Sequence, residues 1–183
     1  VISVPNYTFV VTKTKTIIVT LKDEFGNAIK SKNIQIVING ATFKATTDNL
    51  SKATVKLNLN KVKSFSASIT FAGDDTYSET GKISTIKVTK EKTKLTAPKK
   101  TFKTKAKTKK VTITLKSASN KVLAKKKITL KVNGKTYKAT TNKKGQATVS
   151  VKLTKKKTYK YTIKFAGDSQ YYSASKTGKI VIK

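Results

Sequence analysis

Three carboxylates within six residues, Asp74, Asp75 and Glu79, together with the pair Asp23 and Glu24, are the groups in this chain best placed to hold a hard cation. Calcium takes six to eight oxygen ligands, and acidic loops supply them. Two lysine blocks, Lys125-Lys126-Lys127 and Lys155-Lys156-Lys157, can neutralise a polyanion, and the second runs into Tyr159 and Tyr161, whose rings would add stacking surfaces. Serine and lysine are plentiful enough to pair as nucleophile and base, although nothing in the sequence gathers such a pair into a cleft. Histidine and cysteine are absent, which excludes imidazole triads, thiol chemistry and the usual zinc sites.

An internal repeat sorts these candidates. Phe71-Ala72-Gly73-Asp74 with Tyr77 recurs as Phe165-Ala166-Gly167-Asp168 with Tyr171, an offset of 94 residues that holds from the Lys13/Lys107 pair almost to the end. A repeat of this length is a domain copied in tandem. The second copy replaces Asp75 and Glu79 by Ser169 and Ser173, and Asp23-Glu24 by Ser117-Ala118, so the repeat does not define a calcium site. No metal, cofactor or catalytic residue is therefore expected. The shared Gly-Asp-x-x-Tyr element reads as a corner that closes the fold. Gly73 and Gly167 permit the bend, Asp74 and Asp168 accept backbone N–H groups, and Tyr77 and Tyr171 lay their rings over the end of the domain.

The elements that carry this corner are strands. Apolar residues alternate with polar ones at Ile17, Val19, Leu21, at Ile34, Ile36, Ile38, at Val55, Leu57, Leu59 and at Phe65, Ala67, Ile69, Phe71, and the second copy repeats each run. These inward positions include no Lys, Asp or Glu, which argues against a buried Lys–Asn cross-link. Strands are predicted near residues 2–11, 14–22, 32–39, 41–47, 52–60, 64–72 and 82–89, with a second set following by the offset. Asn39-Gly40 and Asn133-Gly134 mark tight hairpins. About seven antiparallel strands per copy predict an all-β chain of two tandem immunoglobulin-like Greek-key sandwiches, residues 1–90 and 91–183. A short joint near 89–93, without Gly or Ser, predicts an elongated rod. In Lys155–Tyr161 the alternation turns Tyr159 and Tyr161 inward and Lys160 outward, which favours a strand over a stacking platform.

Charge is where the copies part. The net charge is +33, and all 41 basic residues are lysine. Residues 1–89 hold 12 lysines and 6 acids, whereas residues 90–183 hold 29 lysines and 2 acids, Glu91 and Asp168. Without arginine the chain lacks the planar fork that reads phosphates and bases, so no specific nucleic acid is expected. Codon bias acts on both copies alike and leaves the asymmetry of +6 against +27 unexplained. A surface of that charge attracts polyanions in a salt-dependent way. The candidate contacts are Lys125, Lys126, Lys127, Lys155, Lys156 and Lys157.

The order of elements, with Asn-Gly-x-x-Tyr/Phe-x-Ala-Thr-Thr, then Ala-Thr-Val, then Ile-x-Phe-Ala-Gly-Asp-x-x-Tyr, resembles the bacterial-type immunoglobulin-like repeats of large cell-surface proteins. It is similar especially to those of the adhesin-like proteins of methanogenic archaea. The first copy departs at Asn49-Leu50-Ser51, where the second keeps a turn with Gly145. The resemblance implies an extracellular, surface-exposed, non-enzymatic segment that serves in adhesion or as a spacer. A chain that opens at Val1 is expected to be part of something longer. The expected partner is an anionic cell-envelope polymer, or a glycan or protein on a host or partner cell, met by a monomer with no membrane insertion in this segment. The alternative is a dedicated polyanion-binding module for acidic glycan or nucleic acid. A stalk predicts no discrimination among polyanions of matched charge density, and a dedicated module predicts some.

Overall fold

A computed structural model describes residues 1–183. The chain divides into two compact units, Val1–Lys90 and Glu91–Lys183. All regular structure is β. The first unit holds β1 Ile2–Ser3, β2 Tyr7–Val10, β3 Lys15–Leu21, β4 Asn33–Ile38, β5 Ala41–Thr46, β6 Lys52–Leu57, β7 Ser64–Phe71 and β8 Thr80–Thr89. The second holds β9 Thr93–Thr96, β10 Lys100–Phe102, β11 Lys110–Ser117, β12 Lys127–Val132, β13 Lys135–Thr140, β14 Gln146–Ser150, β15 Thr158–Phe165 and β16 Ala174–Ile182. Each unit is a sandwich of a three-stranded sheet, β1-β3-β6 or β9-β11-β14, and a five-stranded sheet, β2-β8-β7-β4-β5 or β10-β16-β15-β12-β13. These are tandem immunoglobulin-like sandwiches.

The cores follow from alternation. Ile17, Val19 and Leu21 face in from one sheet of the first unit, and Ile34, Ile36, Ile38 and Ile69 from the other, all essentially inaccessible to solvent. Ile113, Leu115, Ile128, Leu130 and Ile163 repeat the arrangement. Each such side chain contributes about 1.5–3 kcal/mol on burial. Both hairpin turns place their two central residues at positive φ, 51° and 77° at Asn39-Gly40 and 49° and 74° at Asn133-Gly134, which matches the right-handed twist of the flanking strands.

Each unit has eight strands rather than seven, because the first expected strand is two. Proline has no N–H for the ladder. At Pro5 the chain leaves the three-stranded sheet, where Ile2 pairs antiparallel with Leu21, and joins the other, where Tyr7 pairs parallel with Ile86. Pro98 divides β9 from β10 in the same way.

The proline carbonyl must still find a donor, and the two units supply it differently. In the first, Ser84 Oγ donates to the Pro5 carbonyl at 2.7 Å. In the second, the Tyr161 hydroxyl donates to the Pro98 carbonyl at 2.6 Å. Ala67 lies opposite Ser84 in the register, and Tyr161 opposite Gly178. The donor has moved from β8 to β15, and the residue opposite it has lost its side chain: a Cβ on Gly178 would clash with the Tyr161 ring. Tyr161 is fully buried, and burial raises the pKa of its hydroxyl.

Gly178→Ser is expected to destabilise the second unit by about 1–3 kcal/mol, as overpacking does. Tyr161→Ala opens a cavity and is also destabilising. Because the two changes together rebuild the first unit's arrangement, the double variant should lose less than the sum of the singles, by about 1 kcal/mol or more. Urea unfolding followed by circular dichroism measures the cycle, and strict additivity would show that ring and glycine do not share one space.

Candidate functional site

The repeated corner is built from three elements. Gly73 sits at φ 81° and Gly167 at φ 84°, in the left-handed region that favours glycine. Space makes the same demand: a Cβ on Gly73 would lie 2.8 Å from the Glu79 backbone nitrogen, and one on Gly167 would lie 2.8 Å from the Ser173 nitrogen and the Tyr171 oxygen. The aspartate that follows closes the loop. Asp74 Oδ1 accepts the N–H groups of Thr76 and Tyr77, both at 2.9 Å. Asp168 Oδ1 accepts those of Gln170 at 2.8 Å and Tyr171 at 2.9 Å.

The second carboxylate oxygen brings in a residue that the sequence reading did not connect to the corner. Lys32 Nζ lies 2.6 Å from Asp74 Oδ2, and Lys126 Nζ 2.6 Å from Asp168 Oδ2. The same ammonium groups sit over the tyrosine rings, 5.7 Å from the centroid of Tyr77 and 5.2 Å from that of Tyr171. A buried threonine fixes the lysine backbone. Thr47 Oγ1 accepts the Lys32 N–H at 3.0 Å, and Thr141 Oγ1 accepts the Lys126 N–H at 2.9 Å. The signal was available: Lys32 and Lys126 occupy the same repeat position.

Each corner aspartate is held below its usual pKa. For Asp74 the main cause is the hydrogen bond from Lys32, with backbone N–H groups adding to it. For Asp168 burial pushes upward, but the Lys126 hydrogen bond and the N–H groups of Gln170 and Tyr171 outweigh it. Both oxygens of each carboxylate thus face donors. No three acidic groups converge at the corner or elsewhere in the chain. The Asp23 carboxylate is engaged by Asn27, through its backbone N–H at 2.7 Å and its side-chain amide at 2.9 Å.

Of the six lysines expected to contact polyanion, two have structural partners. Lys126 belongs to the corner, and Lys157 lies 4.8 Å over the ring of Tyr159, as Lys63 lies 4.7 Å over Phe65. Lys125, Lys127, Lys155 and Lys156 are exposed. Tyr159 and Tyr161 are buried and face the core. The expectation that no lysine faces inward requires correction. The alternation of β3 and β11 extends one turn of the pleat further, and Lys15 and Lys109 are buried. Lys15 Nζ donates to the carbonyls of Val11 at 3.1 Å and Lys13 at 2.8 Å, and Lys109 Nζ to those of Thr104 at 3.0 Å and Ala106 at 2.8 Å. Each staples the turn before its strand, and burial lowers the pKa of Lys15. The groups these ammoniums meet are carbonyls, with no asparagine amide among their hydrogen-bond partners. Glu91 is buried as well. Its carboxylate accepts the Ser119 hydroxyl at 2.6 Å and the Ser119 N–H at 3.1 Å.

No protein-family model and no curated protein matches the chain. Among solved structures it is similar to the titin domains Z1Z2, with a TM-score of 0.53 and 8% identity over 98% of this chain and 93% of that one. It is also similar to invasin, a bacterial integrin-binding protein, with a TM-score of 0.52 and 14% identity over all of this chain. The chain spans 39% of the length of the invasin structure. At these identities the likeness is one of fold, two immunoglobulin-like domains in series.

The depressed aspartate pKa values fix the direction of acid sensitivity. A carboxylate held lower in the folded state than in the unfolded one stabilises the fold above the unfolded value, near 3.9. That contribution is lost as pH falls through the folded value. Asp168→Asn should destabilise the second unit by about 1–2 kcal/mol at neutral pH and flatten its pH dependence below about pH 4. Urea midpoints measured between neutral and acidic pH test this, and an unchanged acid profile would remove Asp168 from the account.

Proposed function

We propose that this chain is a non-enzymatic segment of an extracellular adhesin-like protein, a stalk that also attaches to a surface through its basic second unit. The single observation that carries the reading is the contrast between the units. They share core, turns and corner, yet residues 90–183 carry +27 against +6 for residues 1–89. A scaffold kept constant while its exterior is recharged fits a module whose role is set by what its surface meets. The partner is an anionic cell-envelope polymer or an acidic glycan on an apposed surface, engaged by a monomer at the cell exterior. The resemblance to adhesin-like proteins of methanogenic archaea supports the setting. No helix is long and apolar enough to cross a membrane.

A dedicated polyanion-binding module is the second reading, and the scarcity of carboxylates in residues 90–183, only Glu91 and Asp168, favours it. The two readings separate on selectivity among polyanions of matched charge density.

Residues 1–90 and 91–183, which have separate cores, can be tested on an anionic cell-wall preparation across a salt series. The second half should be retained at low salt and released as salt rises, with the first half retained weakly. Equal retention of both halves, or retention indifferent to salt, would sink the attachment role.

A further inference from the structure

The lysines gained by the second unit are not all alike in placement. On the outward face of its five-stranded sheet stand Lys127, Lys131, Lys138, Lys160, Lys164 and Lys179, all exposed. The same face of the first unit has only Lys44 and Lys87. On the three-stranded sheet the change is small, from Lys52 and Lys56 to Lys94, Lys110 and Lys116.

The register gives this face a pattern. Lys160 and Lys179 lie directly opposite each other. One step along β15, Thr162 pairs with Lys131. At the next step Lys164 and Lys138 flank Thr129, and beyond them Lys127 pairs with Thr140. Cationic groups thus stand in four successive rows about 7 Å apart along the strands; Lys160 and Lys179 are on neighbouring strands about 5 Å apart, whereas Lys164 and Lys138 are two strands apart, about 10 Å. Threonine hydroxyls from Thr129, Thr136, Thr140, Thr162 and Thr177 fill the positions between. The two acids of the unit are engaged elsewhere, Asp168 by Lys126 and Glu91 by Ser119, so no ion pair occupies these six ammoniums.

Resting on the polyanion-attachment reading, we infer that this sheet face is the contact surface, and that it takes an extended acidic polysaccharide laid along the strands. Charge complementarity selects a polyanion. The face selects its kind. A nucleic acid gains from aromatic platforms and arginine forks, and here the tyrosines of β15 face the core and arginine is absent. An anionic membrane calls for apolar groups that enter the interface, and the face offers only the half-buried Val181 at its edge. Interleaved ammonium and hydroxyl groups on one sheet face suit an acidic sugar chain, which presents carboxylates and hydroxyls along an extended backbone. The sheet holds these groups at fixed spacing, so less ordering accompanies binding than with loop lysines.

The test uses the full chain on immobilised polygalacturonate. A face variant carries four residues that the first unit already bears at the same positions: Lys127→Asn, Lys160→Ser, Lys164→Thr and Lys179→Thr. A control with equal charge loss carries Lys105→Thr, Lys107→Thr, Lys143→Thr and Lys144→Thr, all exposed, all in loops and none of them among the candidate contacts. The face variant should bind at least tenfold more weakly at low salt, with the salt slope reduced by roughly one per contacting lysine lost. The control should change less than threefold. Thermal unfolding checks both variants. If the face variant does not fold, Lys160→Ser with Lys179→Thr replaces it and should weaken binding by about threefold. Equal weakening by face and loop variants would overturn the face assignment and leave attachment by net charge standing. Stronger retention on oligo(dT) or on anionic phospholipid vesicles at matched charge would overturn the ligand class. Failure of the unaltered chain to bind any of the three would remove the attachment reading itself.

Discussion

A strand shows alternate residues to opposite faces, and each sheet of these sandwiches buries one face against its partner. Everything else depends on that division. Positions facing inward are held by packing, and change in them must be compensated. Positions facing outward are held by little and can be rewritten. The exchange of Ala67 and Ser84 for Tyr161 and Gly178 shows the first case, where a ring gained on one strand requires a side chain removed from its neighbour. The lysine array on the outer face of β12, β13, β15 and β16 shows the second, where Asn33, Ser66, Thr70 and Thr85 of the first unit give way to Lys127, Lys160, Lys164 and Lys179.

The same division sorts the lysines. Three structural roles are filled by lysines at the same repeat position in both units. Lys15 and Lys109 staple a turn, Lys32 and Lys126 bind the corner aspartate, and Lys63 and Lys157 cover an aromatic ring. These side chains do mechanical work: long aliphatic stems pack while the ammonium finds carbonyls, a carboxylate or a π face. The face lysines Lys127, Lys131, Lys160, Lys164 and Lys179, found in the second unit alone, have no such partners. Only Lys138 among that set has a first-unit counterpart, Lys44.

Most of the fold was legible in the sequence because the signals were local. Period-two alternation gave the core, and Asn-Gly gave the hairpins. What escaped depended on contacts across sequence distance. A run through residues 2–11 alternates well enough to read as one strand, yet Pro5 divides it between two sheets. Lys15 extends the inward register of Ile17, but a charged residue reads as outward until the turn carbonyls around it are seen. At the corner, Gly73, Asp74 and Tyr77 were visible as a motif, whereas Lys32 is about forty residues away and becomes part of it only when β4 pairs with β7. The repeat itself held that information, since a residue shared between copies and not explained by the core invites a structural partner.

The array of the second unit is opposed by its own electrostatics. Like charges directly opposite in a sheet are unfavourable, and Lys160 with Lys179 is such a pair. In water two charges about 5 Å apart repel by under about 1 kcal/mol, and salt screens more distant ones beyond about 8–10 Å. Each pair is therefore tolerable, but the interactions share a sign, and residues 90–183 have only two acids to offset 29 lysines. The first unit shows that the scaffold accepts Ser66 opposite Thr85 at the equivalent positions. Folding does not call for the lysines, and solubility is already served by the far lower charge of the first unit. On the proposed reading, a chain of fixed negative charges laid along the rows removes that repulsion on contact.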